Sequence, residues 1–320
     1  MNCHLLLVVL GVAGGRPSAD VPLQPGTVVR FASVDEAKEV LTTRDAYVAA
    51  QGPFDRAARM MTDRVVGEDE YLAFVGAQAI AWQAEEREKI AAIVDSVRSK
   101  IDRFRLPLPE QVLLIKTTGK EEGNAAYCRA GAIVLPQRYV DRPADRLEGT
   151  LVHELFHILS RTNPELREAL YAVVGFRPCG RIPLPDSLRS RRITNPDAVE
   201  IEYAIRVTHN GEPLDVTPVL YASVERYDAE QGGPFFRYLT FRLMAIEPDG
   251  ERWVPKLADG QPQLLRETEV SGFYEQIGRN TEYIIHPEEI LADNFVRLVN
   301  RDQAAPTPRI LEEMERLLRK

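Results

Sequence analysis

A chain of 320 residues, 44% hydrophobic and 28% charged, can bury a large core, which excludes a disordered, collagen-like or low-complexity polymer. Its 40 basic and 48 acidic side chains leave a formal net charge of -8, which speaks against a nucleic-acid partner. No apolar run is long enough to make a transmembrane span.

In chain order, the apolar run Leu5–Val12 ahead of Ala13, Gly14 and Gly15 has the form of a secretory signal peptide over residues 1–19, implying an extracytoplasmic location. Loss of that segment removes Cys3 and leaves Cys128 and Cys179 as the pair available for a disulfide. Val21 to Arg30, with Pro22, Pro25 and Gly26, reads as an exposed lead-in. Ser33 and Glu36 form a capping-box pattern that starts a short helix running to about Ala49. Leu72, Val75, Ala79, Trp82, Ile90, Ile93, Val97 and Ile101 then keep a helical period, predicting one long helix from Asp69 to Arg105 that Pro107 and Pro109 end.

The period next changes to strands, at Val112 to Ile115 and at Ala125 to Leu135 around the turn at Gly131. A helix enters at Arg142-Pro143 and carries Leu147, Leu151, Val152, Leu155, Phe156 and Leu159; Pro164 opens another, running to about Val174. The arginines 189, 191 and 192 read as a solvated loop. Residues 198–258 form a β-rich stretch, with Ile201, Tyr203, Ile205 and Val207 alternating before the Asn210-Gly211 turn. Helices return over Glu269–Ile277, Pro287–Val299 and Pro308–Leu318. The chain is therefore read as one α+β domain over 20–320: helices in 33–105, a small sheet and a helix in 110–175, the β-rich stretch, and helices in 265–320.

Two of the five histidines stand in the string His153-Glu154-Leu155-Phe156-His157, inside a predicted amphipathic helix. Residues at i and i+4 lie one above the other, so both imidazoles can reach one metal ion, and Glu154 then sits beside the metal where it can take a proton from water. This helix resembles the active-site helix of the zincin metallopeptidases. The metzincin continuation is absent, because Ser160 and Asn163 stand where it needs glycine and histidine.

The gluzincin branch draws its third ligand from a later helix, with an aspartate four residues on that holds the first histidine. Here the resemblance implies Glu289 as third ligand to a single zinc ion and Asp293 as the orienting carboxylate, with Glu288 out of phase and facing away. About 130 residues separate His157 from Glu289, which makes the β-rich stretch an insertion and leaves His209 and His286 as rival ligands. The same resemblance implies a zincin-like fold, a peptide or protein substrate paired along the edge strand at Ala125–Leu135, and an oxyanion donor drawn from Tyr274 or Tyr283, Tyr274 being preferred for its glycine-flanked segment. The alternative is a zincin-fold binding or scaffold module of the cell envelope, against which an intact Glu154 argues.

Overall fold

The computed structural model describes residues 20–319. The expected signal segment, residues 1–19, lies outside the described residues. No helix among the described residues is long and apolar enough to cross a membrane.

The chain is mixed α+β, built on two main sheets. The first contains β1 (Val21–Gln24), β2 (Thr27–Phe31), β3 (Gln111–Thr117), β4 (Tyr127–Arg129) and β5 (Ala132–Pro136), in the order β1-β2-β3-β5-β4. Strand β3 pairs in parallel with both β2 and β5, which is why its apolar run is nearly continuous: both of its faces are covered. Val112, Leu114, Cys128, Ile133 and Leu135 point into one core, shared with the helix Ala144–Thr162. Ile115, Tyr127, Ala132 and Val134 point the other way, against Tyr47, Phe54 and Tyr71 of the N-terminal helices. β4 pairs antiparallel to β5 and leaves its other edge open.

The second sheet is antiparallel. It runs β10 (Arg252–Pro255), β9 (Leu239–Asp249), β8 (Glu212–Ala222), β7 (Tyr203–His209) and β6 (Phe176–Pro178); after the small hairpin of β11 (Leu257–Ala258) and β12 (Gln261–Pro262), β13 (Leu264–Leu265) joins β9. Ile205, Val207, Val216, Leu243 and Ala245 belong to the same core as the helix Ala144–Thr162, so the β-rich stretch is built into the molecule and not merely appended to it.

Four expectations are corrected. The short helix expected to run to about Ala49 ends at Leu41, and a separate helix, Ala46–Ala50, follows it with Asp45 as its cap. The supposed lead-in is the β1–β2 hairpin, which buries Val21, Leu23, Val29 and Phe31 and turns at Gly26, whose φ of +83° suits a residue without a side chain. The single long helix is two, Glu68–Gly76 and Ala84–Ile101. Between them Ala79 bridges Thr117 just past the end of β2, with Ile80 N–H bonded to Lys116 O at 2.9 Å and Thr118 N–H to Gln78 O at 2.9 Å. Helical spacing persists through this link because Ala79 and Trp82 are buried for sheet reasons. The helix expected from Glu269 begins only at Phe273, since Gly272 at φ +85° breaks it from a single 3-10 turn at Glu267–Glu269.

Cys128 and Cys179 are both unbonded. Cys128 lies on β4 in the main core while Cys179 belongs to a separate apolar cluster on the far face of the second sheet, so the available pair, left open by the sequence, does not form a disulfide.

Beneath the first sheet, burial raises the Glu121 carboxyl to about 7. One of its oxygens accepts the Thr117 hydroxyl at 2.5 Å, and the other, buried, has no partner. A folded value above the unfolded one means that the native chain holds the extra proton, so stability is lost as pH rises from about 4.5 to about 7. Glu121→Gln removes this titration. Between pH 5 and pH 8 the wild type is expected to lose about 2 kcal/mol relative to the variant in urea unfolding, and equal pH dependence in the two would contradict the assignment.

Candidate metal centre

His153 and His157 project from one face of the helix Ala144–Thr162, whose other side packs Val152, Leu155, Phe156 and Leu159 into the core. Opposite lies the helix Pro287–Val299, joined to it through the Phe156–Phe295 ring contact at 5.7 Å. His153 meets Asp293 while His157 meets Glu288, so the two helices run in opposite senses across the site. The Nε2 atoms of both histidines converge on Glu289 Oε2, at 3.2 Å from His153 and 3.6 Å from His157. These three side chains are one of two groups among the described residues whose ligand atoms lie close enough together to hold a metal ion; the other is Cys128, Glu154 and Asp197.

Each imidazole is fixed from behind. His153 donates Nδ1–H to Asp293 Oδ1 at 3.0 Å, and Asp293 in turn accepts the Thr281 hydroxyl. His157 donates Nδ1–H to Glu288 Oε1 at 2.9 Å. Glu288 Oε2 takes hydroxyl hydrogens from Ser160, at 2.7 Å, and from Tyr171. With both Nδ1 protons spent, the Nε2 lone pairs are left for a cation, which is the arrangement metal-binding histidines use. Glu288 therefore does not face away: it is 3% exposed and serves His157 as Asp293 serves His153.

The electrostatics agree. Burial would lower the His157 imidazole, yet Asp197, Glu289 and Glu288 push it up to about 9. His153 is likewise raised well above its usual range despite burial, by its bonds to Asp293 and Glu289. Burial would raise the Glu289 carboxyl, but His157, His153 and the Asn195 amide, 2.6 Å from Oε1, hold it down at about 2. Such surroundings favour positive charge where the three side chains meet, carried by the protonated imidazoles when no cation is there.

Glu154 is 3% exposed and lies next to this point. Burial raises its carboxyl against the pull of His157 and His153. Beneath it, burial keeps the Cys128 thiol protonated, 3.5 Å from Glu154 Oε2. Asp197 accepts the outward-facing Cys128 N–H of β4 at 2.8 Å; burial, with Glu154 nearby, raises its carboxyl to about 7.

His153, Glu154, Asp197, Glu289 and Asp293 line a cavity of about 670 Å³. Ala125, Ala126 and Tyr127 at the open edge of the first sheet form one wall, and Leu220, Phe235 and Phe236 from the β-rich stretch form another. The loop between them is tied down at Thr194, whose N–H and hydroxyl both bond Asp55, at 3.0 and 2.6 Å.

Of the two tyrosines, Tyr283 lines the cavity with its ring stacked 6.5 Å from His153. Tyr274 is not brought there: it sits in the helix Phe273–Ile277, packed on Phe273 and under the Arg279 guanidinium. The rival histidines stay apart as well. His209 Nδ1–H donates to Glu269 O in the hairpin beyond β7, and His286 caps the helix Pro287–Val299 by accepting Glu288 N–H at 3.1 Å. Asn195, Asp197 and Thr281 had no role in the sequence reading, and Glu288 entered it only as the weaker ligand candidate, one residue out of phase.

No protein-family model, curated protein or solved structure matches the chain.

Proposed function

We propose that the chain is a zinc-dependent peptidase of the zincin type, gluzincin-like, with His153, His157 and Glu289 as ligands to one zinc ion. The observation that carries this reading is the convergence of two imidazole nitrogens and one carboxylate oxygen on a point where every other ring nitrogen is already bonded. Two nitrogens and one oxygen are the donor set of catalytic zinc, and three protein ligands leave room for a reactant. The open edge of the first sheet beside the motif helix fits the zincin arrangement.

When bound, zinc would polarise the scissile carbonyl and acidify water. The protein's own groups do the rest. Glu154, raised by burial toward the working range, takes the proton of the attacking water and passes it to the leaving amine. Asp293 and Glu288 hold the imidazoles in one tautomer. The Tyr283 hydroxyl replaces Tyr274 as donor to the developing oxyanion. The Tyr283 side chain is 41% exposed, and burial of its surroundings together with the Glu289, Asp197 and Glu154 carboxylates raises the phenol well above its usual range and keeps it a donor.

The test is metal content together with hydrolysis of a mixed peptide library. Near-stoichiometric zinc, lost in both His157→Ala and Glu289→Ala, with cleavage abolished by a chelator and restored by zinc, is the expected result. A protein that binds no zinc at the end of purification or on titration overturns it. In the same assay Asp293→Ala is expected to weaken zinc binding by about 10–100-fold in chelator competition, because His153 loses the acceptor that orients it. Unchanged affinity would show that Asp293 does not orient the ligand.

A further inference from the structure

The charged side chains on the cavity wall are unevenly divided. Glu122, Glu154, Asp197, Glu289 and Asp293 are acidic, and apart from Glu122 they stand at the metal centre. Apart from His153, the cations on that wall are Arg138 and Arg142, both from the segment that leads into the motif helix. Their guanidiniums share one support, the Tyr139 ring, at 5.2 Å from Arg138 and 3.6 Å from Arg142. Neither has a carboxylate partner among the described residues. Glu122, the acid of that wall away from the metal centre, is already paired with Arg59 at 2.7 Å. Stacking on tyrosine holds a guanidinium's plane while leaving its N–H fork free for a planar anion.

Outside the metal centre these two guanidiniums are the positive side chains of the wall, so an anion entering the cleft is attracted at this one place besides the centre itself. We propose that Arg138 and Arg142 form a carboxylate subsite of the cleft, selecting peptides that present either a free chain terminus or an acidic side chain to it. This rests on the peptidase reading for the word peptide, though binding itself needs only the two arginines.

The experiment uses zinc-loaded protein carrying Glu154→Gln, so that peptides bind without turnover, and calorimetric titration with three random hexapeptide pools. One has free C-termini and no acidic residues, one has amidated C-termini with a single Glu, and one has amidated C-termini with no acidic residue. At least one carboxylate pool should bind about tenfold tighter than the neutral pool, and that preference should shrink to within about twofold in Arg138→Gln/Arg142→Gln. Arg142→Lys, which keeps charge but loses the fork, should retain part of it.

Which of the first two pools is preferred tells the terminal from the side-chain carboxylate. Equal binding of all three pools, no binding of any, or a preference that survives in the double variant overturns the subsite. Parallel assays with Glu154 intact separate the two ideas. Cleavage without carboxylate preference sinks the subsite alone, whereas an arginine-dependent preference without any cleavage sinks the peptidase and leaves the subsite standing.

Discussion

Replacing Glu154 by Gln is expected to lower peptide hydrolysis by about 10²–10⁴-fold while zinc content and thermal stability stay at wild-type values. Glutamine keeps the size and one acceptor of the side chain but cannot take a proton. Glu154 points beside the metal ligands and does not belong to them, since the converging atoms come from His153, His157 and Glu289. Its neighbour Cys128 can donate to an amide oxygen as it does to the carboxylate, so the fold around it is unchanged. Zinc analysis, melting curves and initial rates on one preparation decide the matter. A variant that retains zinc and more than a tenth of wild-type activity would show that another group moves the proton.

The second large effect lies away from the metal. Arg59 is fully buried and bonds Glu122 through Nε at 2.9 Å and Nη2 at 2.7 Å, Asp55 at 2.6 Å and the Thr194 carbonyl at 2.8 Å. Tyr47 gives its hydroxyl to the same Glu122, at 2.6 Å. Arg59→Ala strands two carboxylates in the interior, which costs about 3–5 kcal/mol. Denaturant unfolding should show that loss. Replacing Asp55 and Glu122 by their amides alongside Arg59→Met should recover much of it, because the stranded charge is then gone. Loss below about 1 kcal/mol in Arg59→Ala would mean that water reaches the cluster. The same variant should bind zinc more weakly, since Thr194 precedes Asn195, whose amide holds Glu289.

How much of this was legible in the sequence depended on whether one element or several carried the signal. The motif helix and the helix Pro287–Val299 are amphipathic, proline-started segments, and both were legible with the side chains that converge between them, because i and i+4 spacing is a property of a single helix. β3 and the β4–β5 pair were equally readable from their apolar runs. The division at Ala77–Gln83 was not, since a segment that bridges Thr117 buries the same residues a helix would. Asn195 and Asp197 lie in an irregular loop with no period, and their roles exist only because Asp55, 139 residues from Thr194, holds that loop in place. Tyr283 and Tyr274 could not be ranked by neighbouring glycines; which of them meets His153 is decided by how the chain crosses between helices.

The tie between Asp55 and Thr194 also dictates an order of assembly. His153 and Glu289 are 136 residues apart, and the loop that steadies Glu289 is itself pinned to an element near the start of the fold. Contacts of such long span close late, after local helices and hairpins have formed. A chain emerging from the ribosome can form the motif helix early, yet it brings together only two of the three converging side chains until residue 289 has been made and docked. If the centre holds an ion as proposed, uptake of that ion reports completion of the whole molecule and not of the helix that carries the two histidines.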